Sequence, residues 1–83
     1  PNPFNPTTHI EYALPSPEQV SIQIYNLLGQ RVASLVNEWQ DAGYHQTAWH
    51  GKDQRGRLVG SGVYFYRIRA GKFTESRKMI LLR

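Results

Sequence analysis

Along most of the chain, apolar and polar residues alternate. In "THIEYAL", Ile10, Tyr12 and Leu14 fall on one face and His9, Glu11 and Ala13 on the other, the period-two signature of a half-buried strand. "VSIQIYN" repeats the pattern, with Val20, Ile22 and Ile24 against Ser21, Gln23 and Tyr25. In "YHQTAWH", Tyr44, Gln46 and Ala48 oppose His45, Thr47 and Trp49. The Trp49 face is expected inward, because a large aromatic gains most from leaving water. "VYFYRIRA" is the strongest strand, dense in aromatic and β-branched residues. Tyr64, Tyr66, Ile68 and Ala70 share one side of it. Val63 and Phe65 share the other with Arg67 and Arg69, so that side should begin covered and end wet. "FTESRKMILLR" reads as a closing strand. One segment departs from the rule: "RVASLVNEW" places Val32, Leu35, Val36 and Trp39 at i, i+3, i+4 and i+7, a helical spacing. It is short, lacks an N-cap residue and lies between strand-like neighbours, so it too is read as a strand.

The chain breakers are sorted. All five prolines lie in residues 1–17 and all seven glycines in residues 29–71. Asn26 to Gly29 has the chemistry of a tight turn with a left-handed glycine. Asp53 to Gly56, inside the loop "GKDQRGRLVGSG", reads as a type I turn. Ala70-Gly71-Lys72 turns the chain again. The expected fold is all-β: an Ig-like antiparallel β-sandwich of about seven short strands over residues 7–83. Residues 1–6 form a proline-rich lead-in, held extended because proline fixes its own φ and biases its predecessor away from helix. The Cys–Trp–Cys signature of antibody domains is missing, so "Ig-like" describes architecture.

Composition narrows the chemistry. Eighty-three residues, 40% hydrophobic and 12% aromatic, suit one small domain with a thin core. There are no cysteines, hence no disulfide framework or thiolate metal site. No apolar run approaches the ~18–20 residues of a membrane-spanning helix. The start has neither methionine nor leader pattern, so the chain is expected to be a piece of a longer product. The net charge of +4 is uneven. Residues 1–51 hold Arg31 against Glu11, Glu18, Glu38 and Asp41, whereas residues 52–83 hold nine basic residues against Asp53 and Glu75. That asymmetry fits either an anionic partner or a solvated face with protected strand edges, and the second reading is preferred.

No catalytic constellation is legible. The carboxylates are scattered, and His9, His45 and His50 lack the spacing of a ligand set. The glycines form neither a P-loop nor a dinucleotide fingerprint, and no serine has a nucleophile-elbow setting. No enzyme activity, cofactor or metal is therefore expected. Two binding readings remain. Trp39, Tyr25, Tyr44 and Tyr64 could form a sugar platform, although completing the core is the stronger use for them. Arg67, Arg69, Lys72, Arg77 and Lys78 interleave with aromatics as in nucleic-acid binders. Glu75 interrupts that run and no RNP or OB signature accompanies it, so no nucleic acid is expected.

Four stretches in order, "PNPFNPTT", "YNLLGQRVASLV", "AGYHQTAWHGKDQRGRLVGSGVYFYRIRAG" and "RKMILLR", span nearly the whole chain. Together they resemble the type IX secretion C-terminal sorting domain and the related Ig-like module of flagellar hook-capping proteins. The sorting resemblance implies a non-catalytic domain that directs an upstream passenger of the same chain through the type IX machinery to the cell surface or medium. Pro1, Asn2, Pro3 and Phe4 match the opening of that domain, Gly29 its first turn, and Lys78, Met79, Leu81, Leu82 and Arg83 the end of the signal. His50 stands where the family usually has Asp. A receptor could read the last strand by strand addition at a free edge. The alternatives are a structural assembly module of a hook-cap-type scaffold or surface filament, including a homo-oligomer, and an accessory carbohydrate-binding domain.

Overall fold

The structure, a computed structural model, describes residues 7–83; the lead-in of residues 1–6 lies outside them. Six strands follow in order: β1 Thr8–Leu14, β2 Glu18–Asn26, β3 Arg31–Gln40, β4 Gly43–Trp49, β5 Gly62–Ala70 and β6 Phe73–Leu81. All pairings are antiparallel. They build a four-stranded sheet, β3-β2-β5-β6, and a two-stranded sheet, β1-β4. The sandwich is thus lopsided, its smaller layer resting on the larger.

Burial follows the alternation. On β2 the inward row Val20, Ile22 and Ile24 is fully buried, at 0% exposure. β2 lies between β3 and β5, so this row is flanked on both sides by backbone ladders. Val20 and Ile22 join Ile10, Leu14, Val36, Ile68 and Ala70 in one apolar cluster. Ile24 joins Ala33, Trp49, Tyr64, Met79 and Leu81 in the other. The smaller sheet therefore inserts Ile10, Leu14 and Trp49 from above. A two-stranded ribbon is marginal in water by itself, and these three side chains hold it in place.

The helical spacing in β3 has a structural cause. Two register shifts interrupt its ladder with β2, between Ile22 and Gln23 and between Ile24 and Tyr25. Ile22 faces Val36 and Gln23 faces Ser34, leaving Leu35 as an extra residue; Ile24 faces Ala33 and Tyr25 faces Arg31, leaving Val32 extra. Each bulge puts two residues opposite one. Ala33 and Val36, three apart, consequently both face the core, while Val32 and Leu35 pack against it half-buried. Bulges converted a period of two into an apparent period near three.

Among the described residues the strands number six, against an expected figure of about seven. Residues 50–61 contribute only an isolated bridge, Lys52 to Leu58. They are organised instead by turns and side chains bonding to main chain, as described below. The Asp53–Gly56 turn is present, closed by the Gly56 N–H donating to the Asp53 carbonyl at 2.9 Å.

Replacing Ile22 by Ala should lower unfolding free energy by about 2–5 kcal/mol, the usual cost of emptying a closed core site. Thr74→Ala, on the exposed part of β6, should stay within about 0.5 kcal/mol. Urea unfolding measures both. A loss below about 1 kcal/mol for Ile22→Ala would contradict the placement of the β2 row.

Candidate interaction surface

The four rings proposed as a sugar platform do not meet. Tyr64 is buried and tilts against Trp49, with centroids 5.1 Å apart and planes at 60°. Its hydroxyl donates to the Gly60 carbonyl at 2.7 Å, and the Trp49 indole N–H donates to the Lys52 carbonyl at 2.9 Å. These two rings therefore serve the core and pin both ends of the 50–61 loop. Trp39 and Tyr44 are exposed, at 63% and 94%, but on different sheets. Trp39 sits opposite Gln19 on the four-stranded sheet and Tyr44 opposite Ala13 on the two-stranded one. The Tyr25 ring lies beneath the Arg67 guanidinium, 5.2 Å from its centroid.

The basic residues are partly gathered. Register places Arg69 beside Ser21, Arg67 beside Gln23, Lys78 beside Phe65 and Arg31 beside Tyr25. All four occupy the outer face of the four-stranded sheet, because Val20, Ile22 and Ile24 point the other way. Arg31, Arg67 and Arg69, with Ser21, Gln23 and Asn37, line a shallow cavity of about 290 Å³. A second cavity of about 280 Å³ adjoins it, sharing Tyr25 and Arg67. The Gln23 amide nitrogen donates to the Ser21 hydroxyl at 3.1 Å and the Ser34 hydroxyl at 2.9 Å. Its carbonyl oxygen is buried without a partner among the described residues. Arg77 departs from the expected group: it is opposite Tyr66 on the inward side of β6 and pairs with Glu75. Lys72 sits in the β5–β6 hairpin. Arg31 was absent from the sequence-based set because it stands alone in an acidic half of the chain; the bulged register sets it opposite Tyr25 on β2, on the same face as Arg67 of β5.

The residues matched to a sorting signal take different stations. Gly29, with φ of 82°, closes the β2–β3 turn by donating its N–H to the Asn26 carbonyl at 3.0 Å. The Asn26 side-chain oxygen accepts from the N–H groups of Leu28 and Gln30. Met79 and Leu81 are buried beside Trp49, whereas Lys78 and Leu82 are exposed. Arg83 is a strut. Its main-chain N–H donates to the Ser61 hydroxyl at 2.9 Å, its Nε to the Val59 carbonyl at 2.6 Å and its Nη2 to the Gly51 carbonyl at 2.5 Å. Gly51 has φ of +69°, and a Cβ there would collide with the Arg83 guanidinium. Pro1, Asn2, Pro3 and Phe4 lie outside the described residues. His50, at the family's usual Asp position, is hydrogen-bonded through Nδ1 to the Thr7 hydroxyl at 3.2 Å.

Two titratable groups are shifted by their surroundings. Asp53 Oδ1 accepts from the N–H groups of Arg57 and Arg55, each at 2.9 Å, and Oδ2 lies 3.3 Å from Arg57 Nε. The Arg57 N–H above all holds this carboxyl below the usual aspartate range. Burial raises the Tyr12 hydroxyl, which donates to the Gln40 side-chain oxygen at 2.6 Å and has Glu38 nearby. Tyr12 also lines a mostly apolar cavity of about 390 Å³ with Leu14, Ile68, Ala70 and Phe73. That cavity marks the open flank where the smaller sheet leaves the larger uncovered. Among the described residues no three of His, Asp and Glu gather as a metal site would require, and no helix is long and apolar enough to cross a membrane.

Arg83→Ala removes two side-chain bonds to carbonyls and should cost on the order of 1–3 kcal/mol. Faster amide exchange at Val59, which donates to the Gly51 carbonyl at 3.0 Å, should accompany it; unchanged stability and exchange would refute the strut. Because the Asp53 pKa is depressed in the fold, its stabilisation is present above the unfolded value of ~3.9 and is lost as pH falls through the folded value. The Arg55 and Arg57 amide shifts should therefore titrate with a midpoint below ~3.9. A midpoint at or above it would contradict the loop geometry.

No curated protein matches the chain. Among solved structures it is similar to FlgD from P. aeruginosa, with a TM-score of 0.70 and 23% identity over 96% of this chain. It spans 64% of that chain, and a likeness at this identity establishes a shared fold. The FlgD Ig-like domain family matches residues 5–72, a span that holds β1 through β5 and ends in the β5–β6 hairpin. That span covers most of the sequence and all but one of the strands, and the chain belongs to the FlgD Ig-like domain family.

Proposed function

We propose that this chain is a non-catalytic structural module of hook-cap type, an Ig-like unit that serves assembly through its faces. The observation that carries the reading is the family match over residues 5–72. The distribution of chemistry agrees with it. The polar and charged groups are spread over flat sheet surfaces, and the cavities are shallow or open-flanked. Such surfaces suit partner proteins better than small substrates.

Type IX sorting is the second reading, favoured by the terminal segment. From Lys78 onward the side chains alternate: Met79 and Leu81 are buried and Arg83 is bonded inward, while Lys78, Ile80 and Leu82 are exposed. A receptor could read that outward row without unfolding the domain. The PNPF opening supports the same reading by resemblance, with an upstream passenger and the export machinery as partners and the cell surface or medium as destination.

One experiment separates the two. The chain is fused behind a periplasm-directed reporter in a cell that has the type IX machinery. The assembly reading expects the reporter to stay in the periplasm. Export that is lost on Lys78→Glu with Leu82→Asp, changes that spare the buried anchors, would overturn it in favour of sorting.

A further inference from the structure

The charges of this molecule are divided by side as well as by sequence. Among the described residues the ion pairs are Arg57 with Asp53 and Arg77 with Glu75. That leaves Glu11, Glu18, Glu38 and Asp41 without a cationic partner. Glu11 alternates with inward Ile10 and Tyr12, so it points outward from the two-stranded sheet. Glu38 and Glu18 stand at the end of the inward-facing rows of β3 and β2, opposite Val20 and Gln40, on the side where the smaller sheet lies. Gln40, next to Asp41 at the end of β3, accepts a hydrogen bond from the Tyr12 hydroxyl of β1. Asp41 is in the link that carries the chain up into β4, where its carbonyl is hydrogen-bonded to the His45 ring. β1 and β4 contain no lysine or arginine, and Arg77, which reaches this side from β6, is paired with Glu75. The opposite surface is the reverse: Arg31, Arg67, Arg69 and Lys78 with no carboxylate at any outward register position.

We propose that the outer face of the four-stranded sheet docks the two-stranded-sheet side of a second copy of this chain. The inference rests on the assembly reading and names its partner. A two-fold contact would bring each patch against its own copy, cation on cation or carboxylate on carboxylate, which is repulsive. Only a head-to-tail contact opposes unlike charges. Such a contact leaves one free patch of each sign on every dimer and extends into a row of molecules unless its rotation closes a ring. Each patch also has exposed aromatic residues, Trp39 on the basic side and Tyr44 and Phe73 on the acidic side, the residue type that anchors interfaces. Because the charges are solvent-exposed, the contact is weak and governed by screening, which reaches ~30 Å at 0.01 M salt and ~3 Å at 1 M.

Sedimentation velocity of the 83-residue chain tests this. At about 10 mM salt the average mass should climb above the 9.6 kDa monomer as concentration rises, and at about 1 M salt it should return to monomer. Arg67→Glu with Arg69→Glu should abolish growth, and so should Glu11→Lys with Glu38→Lys. Mixed one to one, the two variants should form a dimer that grows no further, since each retains one intact patch. The mixture also guards against variants that have simply unfolded, because only folded partners can pair. A wild-type chain that stays monomeric to about 1 mM at low salt would overturn the proposal, as would growth that both variants leave unchanged. The reporter-retention result stands apart from this one, so the packing can fail while the assembly reading survives.

Discussion

Everything in this fold hangs from the inward row of β2. Val20, Ile22 and Ile24 are sealed from water, and they are divided between the two apolar clusters. β2 is also the strand that pairs on both sides, with β3 and β5. Burying three β-branched side chains while satisfying both ladder edges is something an interior strand does well. The smaller sheet has no comparable resource: its two strands pair only with each other. It stays because Ile10, Leu14 and Trp49 find the β2 row and its neighbours beneath them.

That asymmetry shapes what the surface can do. A four-stranded layer under a two-stranded one leaves a broad outer face and an uncovered flank. On the broad face, alternation delivers every second residue of β2, β3, β5 and β6 to solvent, and those residues include four cations. On the opposite side the same alternation delivers Glu11 from β1, and the inward rows of β2 and β3 end in Glu18 and Glu38. The side-by-side segregation follows from strand period and pairing order, without any segment being strongly charged by itself. An Ig-like scaffold built this way presents large, flat, differently charged surfaces and concentrates most of its side-chain-to-main-chain bonding in the 50–61 loop. Those are properties of a part that fits against other parts.

Much of this was legible in the sequence, for particular reasons. The faces of β1, β2, β4 and β5 could be read because period two is a direct consequence of strand geometry. Trp49 was placed inward by its size alone. β3 obscured its pattern because two bulges changed which residues share a face, and a bulge depends on the partner strand. Residues 50–61 could be read as a loop from their glycines and the Asp53–Gly56 turn, but not how that loop is held, by Trp49, Tyr64 and Arg83 bonding to its carbonyls. Carbonyl acceptors carry no side-chain signature, and Arg83 meets Gly51 across 32 residues, so no local pattern announces the contact. The charge imbalance between the two parts of the chain was plain, but its sidedness needed the register. The sugar platform dissolved for the same reason: four rings near each other in composition were distributed over two sheets and a core.

The most direct test of the account is native-state amide hydrogen exchange, read residue by residue. If the β2 row is the hub, the β2 amides and those of β5 beside them should exchange last, at the rate of global unfolding, and β1 and β4 should open earlier or together with them. Finding the β1–β4 pair protected while the amides around Val20, Ile22 and Ile24 exchange readily would contradict it.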